Sequence, residues 1–245
     1  MLLFDLISIE IYLLAAVFIV FGAIGQSTIG IGFGMFAAPF LAFVEPRLVP
    51  GTVLMMAMMV STLIVFREFR HIDRVGLTWA LVGRAVGAVG AGMTIALIPA
   101  QLFGVLFASL ILLAVLLSIL GWRLMPTRSN LISAGVLSGF MGTITSVGAP
   151  PVALVYQHRS AQIIRPTMAT FLFIGAGMSI VTLAIAGRFG LTEFMLGLMM
   201  LPPLLFGFYL SRFMLPFVDR GYVRPLILGV TALAAFALLV RSIMG

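Results

Sequence analysis

Two short stretches concentrate the polar atoms of an otherwise apolar chain. The first holds Gln26, Ser27, Thr28, Gly30, Gly32 and Gly34 and runs on to Pro39; the second holds Thr143, Thr145, Ser146 and Gly148 and runs on to Pro150 and Pro151. Glycine lets backbone approach a ligand closely, and amide and hydroxyl side chains supply hydrogen-bond donors. A helix interrupted at such a place exposes free N–H groups and a partial positive charge at the start of its second half. That is an anion site requiring no charged side chain. A third candidate is Arg84, well inside the apolar block 75–98. An arginine at that depth in a membrane costs at least ~2.5 kcal/mol, so it faces protein or a wet cavity. No acid lies near it in sequence, which makes an anionic substrate a suitable partner; backbone carbonyls freed by a broken helix would serve as well.

Other chemistries lack their residues. The chain has no cysteine, which removes disulfides, thiolate metal sites and cysteine nucleophiles. The seven carboxylates, Asp5, Glu10, Glu45, Glu68, Asp73, Glu193 and Asp219, stand in or beside connections or at the N-terminus, and His71 and His158 stand in connections. A proton or metal-cation pump needs a fixed counter-charge inside the membrane, so a cation substrate is disfavoured. An intramembrane aspartyl protease and a buried zinc or haem centre are disfavoured on the same inventory. We therefore expect no catalytic residues, no metal, no cofactor and no enzyme.

The elements that position these residues are membrane helices. Of 245 residues 62% are hydrophobic and only 9% charged, against about 25% charged in a soluble domain. Apolar blocks cover residues 9–44, 49–66, 75–98, 102–120, 131–156, 168–186, 191–210 and 223–240. Most are long enough to cross a hydrocarbon core of about 30 Å. The first run is read as retained rather than as a signal peptide, because Asp5 and Glu10 stand where a basic region belongs and no small-residue cleavage site follows. The formal charge of +7 comes wholly from arginines, mostly in short connections, as topology and lipid headgroups require; nucleic acid is not implied.

The first and fifth blocks are the ones broken by the polar stretches, and irregular backbone at membrane depth is tolerated only where protein or water satisfies it. They also resemble each other. Gly22, Gly25, Gln26 and Thr28 align with Gly139, Gly142, Thr143 and Thr145 at an offset of 117, and Gly87 is related to Gly207 at nearly the same offset. The reading is an internal duplication, an N-terminal repeat at 1–122 and a C-terminal repeat at 123–245.

Eight simple crossings would divide the arginines seven against six, with no bias. If the first and fifth blocks instead turn back as hairpins, one side receives Arg67, Arg70, Arg74, Arg123, Arg128, Arg159, Arg165, Arg212, Arg220 and Arg224, and the other only Arg47, Arg188 and Arg241. That bias places both termini outside the cytoplasm. It also gives each half an odd number of elements, hence inverted repeats. The expected fold is an all-α polytopic membrane protein of two inverted halves, each with one broken hairpin and three spanning helices. Pro202 and Pro203 should kink or break the seventh block, Gly83 and Gly87 suit close helix packing, and the sixteen methionines fill core or face lipid.

The stretch from Gly25 to Pro39, with Gln26, Ser27, Thr28, Gly30, Gly32 and Gly34 and a short loop on to Pro50, resembles the signature of the TauE/SafE sulfite exporter family. The resemblance extends over essentially the whole chain. In place of the three-glycine run of many members stand Gly34-Met35-Phe36 in the first copy and Gly148-Ala149-Pro150-Pro151 in the second. The resemblance implies transport of small sulfur-containing anions across the bacterial inner membrane, often outward, with the site at residues 30–39 and 142–151. The combined expectation is a permease exporting sulfite or a related sulfur anion by alternating access. Its partners would be that substrate and the bilayer, and the sequence leaves any homo-oligomer open. The alternatives are uptake of a small organic anion coupled to protons or sodium, for which no buried carboxylate is seen, and an accessory subunit that transports nothing.

Overall fold

The computed structural model describes residues 6–30, 32–68, 71–120, 124–218 and 223–244, and among them the regular structure is helical. The helices are α1 (Ile9–Ile29), α2 (Phe33–Val44), α3 (Gly51–Glu68), α4 (Arg74–Leu97), α5 (Ala100–Ile119), α6 (Arg128–Thr145), α7 (Ala149–Tyr156), α8 (Ala161–Ile185), α9 (Leu191–Met199), α10 (Leu201–Val218) and α11 (Val223–Met244), with a 3₁₀ turn at Pro46–Leu48. Side-chain caps fix several starts: Ser8 accepts from the Ile11 N–H, Asp73 from Gly76, and Thr127 from Asn130.

Segments of α1, α4, α5, α8 and α11 are each long and apolar enough to cross a membrane, and α9 with α10, bent by 45°, makes a sixth if the pair is one span. Exposed apolar side chains recur at three- and four-residue spacing, Leu13, Val17 and Phe21 on α1 and Val82, Val86, Val89 and Met93 on α4. Such stripes face lipid in a multi-pass membrane protein.

Both broken blocks double back. Phe18 stacks on Phe40 with centroids 4.6 Å apart, and Phe21 lies 6.0 Å from Phe36, so α2 returns antiparallel along α1. The Arg47 guanidinium then donates to the Leu6 carbonyl at 3.1 Å, closing the hairpin at the end where it began. The second hairpin opens at the opposite end. Arg128 at the start of α6 lies over Trp79 near the start of α4, and Tyr156 at the end of α7 donates to Asp73, the cap of the same helix, at 3.0 Å.

At the first end Arg47 and Arg188 line one cavity, and Pro46 and Arg241 line its neighbour. The described start and end of the chain therefore share a face. The two halves interleave: α4 packs along α6, α1 along α10, α3 against α8, and α5 against α11, while α2 touches α11 as α7 touches α5.

The breaks correct one reading. The first hairpin breaks at Gly30 and Gly32, whose φ values are 73° and 98°, whereas Pro39 sits inside an unbroken α2. Proline there removes the N–H that would satisfy the Met35 carbonyl. The hydroxyl of Thr231 on α11 replaces it at 3.1 Å, so the helix continues. In the seventh block the helix breaks as expected: the 45° bend falls at Met200, and Pro202 and Pro203 follow in the first turn of α10, where their missing N–H groups are not needed.

Candidate functional site

The sequence placed the free N–H groups of interrupted helices at the centre of the site; the first break spends its leading donor internally. Gln26, buried in the last turn of α1, accepts from the Phe33 N–H at 2.6 Å and donates through Nε2 to Ser61 Oγ at 2.7 Å and the Ala57 carbonyl at 3.3 Å. One amide thus caps α2 and ties the break to α3. Thr28 turns its hydroxyl back to the Ile24 carbonyl at 2.7 Å, and Ser27 Oγ is buried without a partner. Gly34 packs its Cα directly against the Ser146 carbonyl, so the tip of the first hairpin rests on the second.

At the second break α6 ends in Ser146, which holds φ 65°, a left-handed conformation costly for any residue with a Cβ. Thr145 donates to the Met141 carbonyl at 2.7 Å and accepts from the Val147 N–H at 3.1 Å. Ser146 Oγ donates to the Pro50 carbonyl at 2.9 Å. Pro150 and Pro151 fill the first turn of α7 and lack N–H groups, so that helix start offers few donors to an anion.

The strong positive group beside this break is Arg84. Its side chain is 2% exposed and reaches from α4 into a cradle built by α6 and α8. Nη1 donates to Ser138 Oγ at 2.7 Å and to the Ser138 carbonyl at 3.3 Å, while Nη2 reaches Ser179 Oγ at 3.5 Å. Ser138 Oγ passes its own hydrogen to the Gly148 carbonyl, and Thr143 Oγ1 lies 2.8 Å from Ser179 Oγ. The ring of Phe171 lies under the guanidinium, 5.0 Å from its carbon. Glycine is required around it: a methyl group on Gly142 would press on Nη2 at 3.0 Å, and one on Gly175 would overlap Nε and the end of the side chain.

Nε has no partner, and no carboxylate pairs with Arg84 among the described residues, where the one ion pair is Arg47–Glu45. A guanidinium has five donors, and here two of the three nitrogens are weakly used or unused. The groups around it are the hydroxyls of Ser138 and Ser179, with Thr143 bonded to Ser179, and charge-assisted hydrogen bonds from a guanidinium are the kind that recognise oxyanions.

Of the residues singled out in the sequence, Arg84, Thr143 and Gly148 converge here, Ser146 and Thr145 frame the tip beside them, and Gly32 and Gly34 meet that tip from the other hairpin. Gln26, Thr28 and Gly30 instead build the first break, bonded to α1, α2 and α3. Ser138, Phe171, Gly175 and Ser179 were missed. The last three recur every fourth residue on one face of α8, and Ser138 stands one turn before Gly142; that spacing of small and hydroxyl residues was the available signal.

The neighbouring helix contact is closer still. Gly83 and Gly87 on α4 and Gly135 and Gly139 on α6 each lie against backbone of the opposite helix, too close for a Cβ, which is the small-residue packing their spacing predicts. This crossing fixes α4 on α6 and so aims Arg84 at Ser138.

A multi-pass helical bundle with two hairpin tips meeting beside a buried, unneutralised cation belongs to the transporter class. A family model described as Sulfite exporter TauE/SafE matches residues 14–238. The chain belongs to this family, whose members are transporters and not enzymes. Comparison with curated proteins and with solved structures gave no match.

Proposed function

We propose that the protein exports sulfite or a closely related sulfur oxyanion across the bacterial inner membrane by alternating access, with the anion held at Arg84 and the second hairpin tip. The observation that carries this reading is the buried Arg84 guanidinium with an unpartnered Nε and no carboxylate partner among the described residues. Ser138, Thr143, Gly148 and Ser179 are the nearby groups assigned to the anion, Ser146 holds the tip beside it through Pro50, and Gly32 and Gly34 let the opposing tip approach it. Gln26, Ser27, Thr28, Gly30 and Thr145 support the tips.

Two features favour inverted repeats. The hairpins enter from opposite ends, and the packing partners exchange consistently when α1 is matched with α6, α2 with α7, α3 with α8, α4 with α9 and α10, and α5 with α11. Rocking of such halves about a central site is the usual route to alternating access. The end bearing Arg47, Arg188 and Arg241 is assigned to the non-cytoplasmic side, with both termini, because the other connections hold the arginine excess.

An inside-negative potential drives an anion outward by ~2.3 kcal/mol per charge per 100 mV, so export needs no coupling ion. The test is flux from proteoliposomes loaded with sulfite, thiosulfate, sulfoacetate, taurine, sulfate or a simple carboxylate under imposed potentials. Saturable, potential-dependent release of a sulfur anion, lost in Arg84→Gln, is expected. Flux that requires a proton or sodium gradient would replace export with coupled uptake, and no flux of any anion would leave an accessory role.

A further inference from the structure

The Arg84 site lies close to a second space. A partly open cavity of about 450 Å³ at the arginine-poor end is lined by Arg47, Val49, Pro50, Leu183, Arg188 and Glu193 among others. Its charges are unequally engaged. Arg47 is held by both oxygens of Glu45 at 2.9 and 3.0 Å, and Glu193 Oε2 accepts from the Gly190 N–H at 2.7 Å. Arg188 is exposed and no side-chain bond ties it to either acid.

Pro50, in the cavity wall, is the residue whose carbonyl accepts from Ser146 Oγ. Two residues further along the chain, Gly148 lies against Arg84 Nη1. The tip of the second hairpin therefore stands between the cavity and the buried cation, and it is pinned by the Pro50 bond ahead of α3 and by Gly34 of the first hairpin against its carbonyl. The pin is held by a serine at φ 65°, where glycine would carry no strain. A strained residue persists where the surrounding structure over-determines it, and the distinguishing atom here is the hydroxyl.

We propose that this cavity is the outer vestibule of the anion path, with Arg188 as its cation for small oxyanions, and that the Ser146–Pro50 bond is the latch closing it from Arg84. The proposal rests on the transport reading, but its test measures access rather than flux. Ser146 acts as a positioning residue: it holds the tip, and the tip excludes the vestibule from the site.

The chain contains no cysteine, so single reporters can be placed in the native background. Arg188→Cys reports the vestibule and Thr143→Cys the space behind the latch. In proteoliposomes of known orientation, a membrane-impermeant thiol reagent should modify Arg188→Cys rapidly from the outer side whatever stands at position 146. Thr143→Cys should react slowly when Ser146 is present and roughly tenfold faster from that side with Ser146→Gly or Ser146→Ala, in keeping with the loss of one buried hydrogen bond. Ser146→Gly relieves the backbone strain and should melt no lower than the parent, which separates opening from unfolding. Millimolar sulfate, which does not react with thiol reagents, should slow labelling of Thr143→Cys in the Ser146→Gly protein. A Thr143→Cys rate indifferent to position 146, or labelling only from the opposite side, overturns the latch; labelling as expected without any anion flux would keep the latch and sink the transport reading instead.

Discussion

Gly32 and Ala149 face each other where the two hairpin tips meet: a Cβ placed on Gly32 would stand 3.1 Å from that of Ala149. The two residues are separated by the same 117 positions that relate the polar motifs in the sequence. Matched positions touching is what a two-fold axis between two copies produces. Gly32 also holds φ 98°, which a side chain adopts only under strain. Gly32→Ala should therefore cost about 1–2 kcal/mol from backbone conformation alone, read as a lower melting temperature in detergent. Removing the facing methyl as well, with Ala149→Gly, should recover only the part due to contact. An unchanged melting temperature in Gly32→Ala would remove the argument for a tight tip.

Gly175 tests whether the placement of Arg84, rather than its presence, matters. A methyl at Gly175 would overlap Arg84 Nε, whereas one at Gly177 would meet nothing closer than Met58 Sδ at 3.9 Å. Gly175→Ala should lose anion flux nearly as completely as Arg84→Gln, and Gly177→Ala should keep it. Both should insert and purify as the parent does. Equal activity of the two alanine variants would mean that the cradle does not hold the guanidinium where transport needs it.

Much of this architecture was legible in the sequence because glycine, proline and arginine are informative in a membrane. The hairpins followed from arginine counts, from a first block too long for one crossing and from glycine and proline breaks in the fifth, and the contacts of Arg47 with Leu6 and of Tyr156 with Asp73 place them at opposite ends. What could not be read was where donors were already spent. The Gln26 amide accepts from the Phe33 N–H, and Pro150 and Pro151 carry no N–H at the start of α7, so the two helix starts have fewer free donors than the breaks suggest. Pro39 misled for the complementary reason, since its rescue by Thr231 comes from a helix 196 residues ahead of the Met35 carbonyl it satisfies.

The closure of the first hairpin should depend on pH. The Arg47 guanidinium and its hydrogen bonds hold the Glu45 carboxyl below its ordinary range, and Arg47 also carries the bond to Leu6. A carboxyl with a lowered folded-state pKa stabilises the fold above its unfolded pKa and loses that contribution as pH falls through the folded value. Melting temperatures of the parent and of Glu45→Gln should differ at neutral pH and converge in acid, below about pH 4. Glu45 is mostly covered but Arg47 is half exposed, so solvent screens the pair and the difference should be small. A gap that widened on acidification would contradict the assignment.

Thr231 and Pro39 should behave as a coupled pair. Thr231→Val removes the donor to the Met35 carbonyl, leaving a buried acceptor unsatisfied at a cost of about 1–3 kcal/mol. Pro39→Ala restores the N–H that an unbroken helix would aim at the same carbonyl, so in that background the hydroxyl becomes largely redundant. The double-mutant cycle should show Thr231→Val costing clearly less with alanine at position 39 than with proline, a coupling of about 1 kcal/mol. Strict additivity would mean that Thr231 contributes through packing against α2 and that α2 tolerates Pro39 by some other means.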